Sequence, residues 1–305
     1  MTAASPLPSA VSGRAIQAAL LADGRRLHLN DGPIDLIIEA SGEPRAVQAA
    51  FARAAHRLSG LLDALCTELP NLRKPAGAEP LPFVHPVAQR MAEAVAPFAA
   101  DIFITPMAAV AGAVAEHIVQ ALIGPGIGRA YVNNGGDIAL HLPAGSNYTI
   151  GLVARPDRPQ LVGTATLDAA GAARGIATSG WRGRSFSLGI ADAVTVLAPS
   201  AAMADAAATV IANAVDLPNH PGIVREAACE LQPDSDLGSL RVTRDVPDLS
   251  PSERAAALAA GLAVANNLVS RGLICDAALH LQGDSVSTGA THGLLLQSHL
   301  ELVDA

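Results

Sequence analysis

The stretch AAMADAAATVIANAV, residues 201–215, contains three polar side chains spaced four apart, Asp205, Thr209 and Asn213, among apolar neighbours. On a helix such positions stack on one face, so a carboxylate, a hydroxyl and an amide form one column. A solvent-facing helix would be expected to carry Lys, Glu or Arg, which are better helix formers. Short oxygen donors on a rigid helix instead suit a hard cation such as Mg²⁺. The alternative is a buried polar stripe whose members hydrogen-bond to neighbouring protein groups.

Around this helix the chain has the composition of a globular protein with a large core. Of its 305 residues, 50% are hydrophobic but only 3% are aromatic, so we expect the core to be built from small aliphatic side chains and close backbone contacts. We expect a single domain over residues 1–305. Acidic residues outnumber basic ones 28 to 20, and no dense Lys and Arg cluster is present, which argues against a nucleic-acid partner.

The composition also predicts a cytoplasmic protein without a membrane span. The three cysteines are far apart and lack the spacing of a zinc or redox site, so they are expected to be reduced. The N-terminal residues lack the pattern of an export signal. The longest apolar run, residues 106–124, is interrupted by Glu116, His117 and Gln120, which favours a buried helix over a membrane span.

Hydrophobic periodicity and turn signals predict grouped strands and helices, which is typical of an α+β fold with helices layered on a largely antiparallel sheet. The helix at residue 201 should begin after Ser200 as its N-cap, and another should begin after Thr105. The other predicted helices are Pro44 to Thr67, Pro86 to Ala96, Pro221 to Cys229 and Pro251 to Arg271. The predicted strands are Ala15 to Leu21, Arg25 to Leu29, Ile34 to Glu39, Arg129 to Val132, Ile138 to Leu142, Tyr148 to Val153, Gly163 to Leu167, Arg174 to Ala177, Ala191 to Leu197, Leu240 to Arg244 and Ile274 to Leu281.

Two further segments carry candidate binding groups. Asn133-Asn134-Gly135-Gly136-Asp137 is a tight turn between two strands, and either its glycines only supply positive φ or the turn also offers N–H groups and oxygens to a ligand. In residues 175–189, Thr178-Ser179-Gly180 follows a strand and precedes Arg182 and Arg184. Arginine suits bidentate recognition of phosphate or carboxylate, although a surface loop that balances the acidic chain is the alternative.

Asp192 lies in a segment otherwise suited to burial, ADAVTVL. An isolated buried carboxylate needs a partner, and Arg184 or a metal would serve. We therefore take Arg184 and Asp192 as the candidate catalytic residues.

Three segments together resemble the signature segments of the FAD:protein FMN transferase family, the ApbE-like proteins. They are Asn134 to Ile138, Ala177 to Gly180, and Val194 to Thr209. The sequences TPMAAVAGAVAEH and GRSFSLGIADAVTVLA are most similar to a cytoplasmic, functionally uncharacterised branch of that superfamily.

The resemblance implies a T-fold-like α+β architecture and a site for Mg²⁺ and FAD. It implies that Asp205 and Thr209 form the metal pair, and that Asn134, Gly135, Gly136 and Asp137 line the cofactor cleft together with Thr178, Ser179 and Gly180. The transferases move FMN from FAD to a protein Thr or hydrolyse FAD to FMN and AMP. Between Gly180 and Asp192 they carry a His-Ile-x-Asp-Pro-x-Thr-Gly segment that this sequence lacks.

Three functions follow as hypotheses. The first is a Mg²⁺-dependent enzyme, a flavin or nucleotide transferase or pyrophosphatase, acting on FAD or another phosphate-bearing cofactor. The second is a ligand-binding or oligomeric scaffold protein that kept the fold and lost the chemistry, and self-association is left open. The third is a small-molecule enzyme without flavin that holds a carboxylate in the loop containing Arg182, Arg184, Ser185 and Ser187.

Overall fold

The computed structural model describes residues 16–77, 82–153, 161–289 and 294–296. Within them, the α-helices are α1 (Pro44–Leu58), α2 (Leu61–Leu72), α3 (Pro86–Val95), α4 (Val110–Leu122), α5 (Ala201–Ala214), α6 (Ala228–Leu231) and α7 (Pro251–Ser270), with short 3₁₀ turns at Ala96–Phe98 and Pro106–Ala109. The strands are β1 (Gln17–Leu20), β2 (Arg26–Asp31), β3 (Ile34–Gly42), β4 (Ile127–Asn134), β5 (Asp137–His141), β6 (Asn147–Val153), β7 (Leu161–Asp168), β8 (Gly175–Ser179), β9 (Ala193–Ala198), β10 (Val224–Ala227), β11 (Arg241–Asp245), β12 (Asp276–Leu281), β13 (Asp284–Ser287) and β14 (Leu294–Leu296).

In the described part of the chain, the main sheet has nine strands in the order β1-β2-β3-β4-β5-β8-β9-β12-β13. Every neighbouring pair in it is antiparallel. A smaller sheet has the order β14-β7-β6, and β10 pairs with β11. The predicted α+β class with a largely antiparallel sheet is confirmed.

The two faces of the main sheet are covered by different layers. Successive side chains of strand β9 point to opposite faces of the sheet. Val194 and Val196 belong to the core shared with the helices. Leu197 instead packs with Tyr148 and Leu167 of the smaller sheet. Helices α4 and α5 therefore cover one face, and β6 and β7 cover the other.

Small residues allow α5 to approach its neighbours closely. A Cβ atom at Gly112 of α4 would lie 2.2 Å from the carbonyl oxygen of Ala201, and one at Gly175 of β8 would lie 2.2 Å from the Ala201 nitrogen. Neither contact is sterically allowed, so both positions require glycine. The expected core of small aliphatic residues is confirmed, and this packing seats the start of α5 against α4 and β8.

The start of α5 follows the prediction. The Ser200 side chain accepts a hydrogen bond from the Met203 N–H at 3.2 Å. Ser200 is thus the N-cap, as the sequence indicates. Asp205, Thr209 and Asn213 consequently all lie within α5, on one face of the helix, as their four-residue spacing implies.

Several predictions of helix position are wrong. The helix predicted over Pro44 to Thr67 is two helices, because Gly60 adopts φ 76° between α1 and α2. The helix predicted over Pro221 to Cys229 is strand β10 followed by α6, since antiparallel pairing with β11 outweighs local propensity.

The start of α4 also differs from its prediction. Thr105 does not cap a helix; a 3₁₀ turn follows it and α4 begins at Val110. The Thr105 hydroxyl donates to the Asp236 carboxylate instead.

The predicted strands are found with shifted ends, and the start of the first, Ala15, lies outside the described residues. In the ranges that the structure covers, no helix combines the length and the apolar character needed to cross a membrane.

Candidate functional site

The predicted turn connects β4 to β5 and is built from its glycines. Gly135 and Gly136 have φ values of 67° and 118°, which L side chains rarely adopt. Asn133 stabilises the turn by accepting the Gly136 N–H at 2.8 Å. Asn134 is buried, and its amide donates to the Ala111 carbonyl at 3.2 Å. The turn is thereby held against the start of α4.

Asp137 of β5 and Asp205 of α5 lie close enough that the charge of Asp137 acts on the Asp205 carboxyl group. Asp137 has the same parity in β5 as Ala139, which packs in the core beneath the helices. Its carboxylate accepts the Thr178 N–H at 3.3 Å. Asp205 accepts the Gly112 N–H at 3.0 Å. Residues distant in the sequence thus place two carboxyl groups in one cleft.

The cleft disfavours two negative charges. Burial raises the pKa of Asp137 to about 7, against the opposing effects of the Thr178 N–H and the Arg184 charge. Burial raises the pKa of Asp205 well above its usual value, and the charge of Asp137 raises it further. Asp137 and Asp205 are both half-buried residues. A cation between them would relieve the repulsion.

Arg184 lies at the turn. A Cβ atom at Gly135 would be 1.5 Å from the Arg184 Nη2 atom, so the absence of a side chain at Gly135 makes room for the guanidinium group. Arg184 is exposed, and its charge acts on Asp137. Its guanidinium therefore stands beside the carboxylate cleft.

The Thr178-Ser179-Gly180 segment contributes mainly through its backbone. The Thr178 hydroxyl bonds to that of Thr195 at 2.9 Å, on the sheet face away from α5, and only its N–H reaches Asp137. Ser179 shares the face of Ala177, beneath the helices. Gly180 has a packing role, because a Cβ there would lie 2.3 Å from the Asp192 carbonyl oxygen.

Asp192 is buried, and its partner is not the expected one. Arg182 donates to its Oδ1 at 3.0 Å and the Gln282 N–H donates to its Oδ2 at 2.6 Å. Arg182 also stacks over the Trp181 ring at 4.1 Å. The expected ion pair with Arg184 is not the one found, because Arg182 supplies the guanidinium that pairs with Asp192.

Asn213 anchors the loop that carries Arg184. Its Oδ1 accepts the Leu188 N–H at 2.9 Å and the Ser187 hydroxyl at 3.3 Å. Thr209, one turn earlier, is half-buried. The members of the polar column therefore have different roles. Asp205 lies at the cleft, and Asn213 holds the segment at Ser187 and Leu188.

We expect Asn213→Ala to destabilise the protein by about 1 to 3 kcal/mol, because the Leu188 N–H loses its acceptor. Urea unfolding would measure this loss. Asn266→Ala, at an exposed position of α7, is the matched control and should change the free energy of unfolding by less than about 0.5 kcal/mol. Equal values for the two variants would contradict the anchoring role.

The sequence analysis did not predict that backbone N–H groups at the start of α4 contribute to the site. The N–H groups of Ala111 and Gly112 both bond to Asp205 and lower its pKa, against the larger effect of burial. The only local signal was Gly112 within an Ala-rich helix. Among the described residues no group of three or more His, Cys, Asp or Glu side chains is arranged to hold a metal ion. A cation here would rely on two carboxylates, a hydroxyl and ligand oxygens, which suits Mg²⁺.

The similar curated proteins that we describe are both UPF0280 proteins of archaea. A UPF0280 protein of Methanopyrus kandleri is 41% identical over 127 residues, covering 42% of this chain and 48% of that protein. One of Methanothermobacter thermautotrophicus is 42% identical over 124 residues, covering 40% and 47%. The chain thus spans about half the length of the curated relatives it matches.

A solved structure, the apo form of the flavinyl transferase ApbE of Pseudomonas stutzeri, covers 92% of this chain and 95% of its own, with 14% identity and a TM-score of 0.37. The family described as AbpE bacteria matches residues 18–287, which confirms the resemblance drawn from the three segments. Because this match covers most of the sequence, the chain belongs to the AbpE bacteria family.

Proposed function

We propose that this protein is a Mg²⁺-dependent enzyme that acts on the phosphate groups of a cofactor, with FAD as the first candidate. The observation that carries the proposal is the pair Asp137 and Asp205, two carboxyl groups enclosed in one cleft with raised pKa values. Such a pair without a cation is unfavourable. Perturbed carboxyl groups in a cleft are typical of functional sites.

The donor set fits a hard cation. Asp205 and Thr209 would hold Mg²⁺ from α5, and Asp137 would face it from β5. When bound, Mg²⁺ supplies a Lewis acid and a template for phosphoryl chemistry. The backbone N–H groups of Ala111 and Gly112 orient Asp205.

The protein's own groups would bind and position the phosphates. Arg184 stands beside the cleft, and its fork of N–H donors suits phosphate oxygens. No atom lies within 4 Å of the position that a Cβ at Gly136 would take, so an anionic group can approach the turn beside Arg184. Asn134 keeps the turn against α4.

The reaction class would be cleavage of the FAD pyrophosphate, with water or a protein hydroxyl as the acceptor of FMN. With water, FAD and H₂O yield FMN and AMP. The missing His-containing segment favours a second candidate, a protein that binds the cofactor and cation without turnover.

Incubation of the protein with FAD and Mg²⁺ distinguishes these candidates. Formation of FMN and AMP in equal amounts, dependent on Mg²⁺, would support the enzyme. A rise in melting temperature with Mg²⁺ and FAD but no product would support the binding protein. If neither products nor stabilisation are observed, both candidates are rejected. A thermal-shift screen of carboxylate metabolites would then test the flavin-free enzyme.

We expect Arg184→Ala to weaken FAD binding about tenfold or more, since a charge-assisted hydrogen bond contributes about 1.5 to 3 kcal/mol. Titration of flavin fluorescence would measure the dissociation constant. Arg184→Lys should recover part of the affinity, because it keeps the charge but loses the fork. Arg45→Ala, on the exposed surface of α1, is the control, and an equal loss there would show a general charge effect.

A further inference from the structure

A second concave site lies at the opposite end of α5 from Asp205. It has a volume of about 400 Å³ and lies between the segment after α5 and the β10–β11 ribbon. This is within the range of cavities that hold small ligands. Its lining includes Asp216, Pro218, His220, Ile223, Arg225 and Arg241.

Two of the side chains that line this cavity, Arg225 and His220, are held in place by contacts within the protein. Arg225 bonds to the Asp216 carboxylate and donates to the Leu188 carbonyl at 2.8 Å. His220 accepts the Gly222 N–H on Nδ1 at 3.2 Å, so its Nε2 carries the proton and donates to Glu253 at 3.1 Å. These walls are therefore preorganised, which lowers the cost of binding.

Of the charged side chains that line the cavity, Arg241 is left without a carboxylate partner among the residues that the structure describes. Arg225 and Asp216 neutralise each other, and the Glu253 carboxylate is bonded to His220 and capped at the start of α7. Arg241 is exposed at the cavity and donates to the Arg225 carbonyl. In the described ranges of the chain no carboxylate forms an ion pair with Arg241. Its remaining N–H groups can bind an oxyanion in bidentate fashion.

Part of the cavity wall is apolar. Ile223 and Pro218 line it, so the cavity offers both a guanidinium group and a hydrocarbon surface. A ligand that matches both has an oxyanion head and a short apolar body. Inorganic ions alone would leave the apolar wall unused.

We propose that this cavity binds a small organic anion, whose carboxylate or phosphate group contacts Arg241 and whose apolar body packs on Ile223 and Pro218. The site is separate from the Asp137 and Asp205 cleft, and its occupancy does not depend on the function proposed there.

Isothermal titration calorimetry at constant ionic strength tests the proposal with four probes: hexanoate, hexyl phosphate, hexanol and inorganic phosphate. Binding of hexanoate or hexyl phosphate, with hexanol and inorganic phosphate at least tenfold weaker, is expected, and the tighter of the two identifies the head group. Arg241→Ala should weaken that binding at least tenfold. Arg244→Ala, on the same strand but not lining the cavity, should leave it unchanged.

Arg241 is exposed, so its replacement should not unfold the protein, and the melting temperature of the variant checks this. A second variant, Ile223→Asn, should weaken the two amphiphilic probes and leave inorganic phosphate unaffected. The proposal is overturned if neither amphiphilic anion binds, or if Arg241→Ala and Arg244→Ala behave alike.

Discussion

Asp205→Asn should abolish the Mg²⁺- and FAD-dependent rise in melting temperature while leaving a folded protein. The substitution keeps the shape and an oxygen that can accept the Gly112 N–H, but it removes the charge that a hard cation requires. At a ligand concentration 100 times its dissociation constant, the wild type gains about 2.7 kcal/mol. Differential scanning fluorimetry with Mg²⁺ alone, FAD alone and both together measures the effect.

The matched control for this variant is Asp245→Asn, because Asp245 is an exposed acid on β11. It should retain the full response to Mg²⁺ and FAD. If Asp205→Asn also retained that response, the cation would bind elsewhere and the proposed site would be rejected. In the absence of ligand, Asp205→Asn should be at least as stable as the wild type, since it removes one of two repelling carboxylates.

Asp137→Asn should stabilise the cation-free protein at pH 8 and have little effect at pH 4. The pKa of Asp137 is raised to about 7 in the folded state, against 3.8 when unperturbed. Between these values the folded state binds more protons than the unfolded state, so the stability contributed by this group falls as pH rises. The variant removes that loss. Unfolding in urea at half-unit pH steps measures the difference between variant and wild type.

The free energy of unfolding must be compared between Asp137→Asn and the wild type, because other groups also titrate in this pH range. Burial lowers the pKa of His117 and His280 to about 4, so their contribution to stability rises between about pH 4 and 6.5, opposite to that of Asp137. Asp23, with a pKa lowered to about 2 by hydrogen bonds from Arg25 and Arg26, acts only below this window. These effects cancel in the comparison with Asp137→Asn.

Addition of Mg²⁺ provides a second test of the same residue. A bound cation favours both ionised carboxylates, so Mg²⁺ should stabilise the wild type more at pH 8 than at pH 5. Asp137→Asn should lose most of this pH dependence. A pH-independent response to Mg²⁺ in both proteins would show that Asp137 does not face the cation.

Local patterns in the sequence were sufficient for much of the fold and part of the site. The four-residue spacing of Asp205 predicted its helix, and Ser200 predicted where that helix begins, because periodicity and capping involve neighbouring residues. The turn at Gly135 could be predicted for the same reason. The break at Gly60 was missed, because the apolar periodicity continues across it and a single glycine is tolerated in many helices.

Which of the polar residues act together depends on how the helices and strands pack, and the order of residues does not reveal it. The strand order β5-β8-β9 places Asp137 beneath α5, whereas nothing in the spacing of Asp137 and Asp205 indicates that they meet. In the same way, Arg182 and not Arg184 pairs with Asp192, and Asn213 holds the loop at Leu188. The helices, the strands and the chemical groups they carry follow from local sequence patterns, because they depend on short-range geometry. Their grouping depends on long-range packing, in which Gly112 and Gly175 let α5 settle at van der Waals distance from α4 and β8.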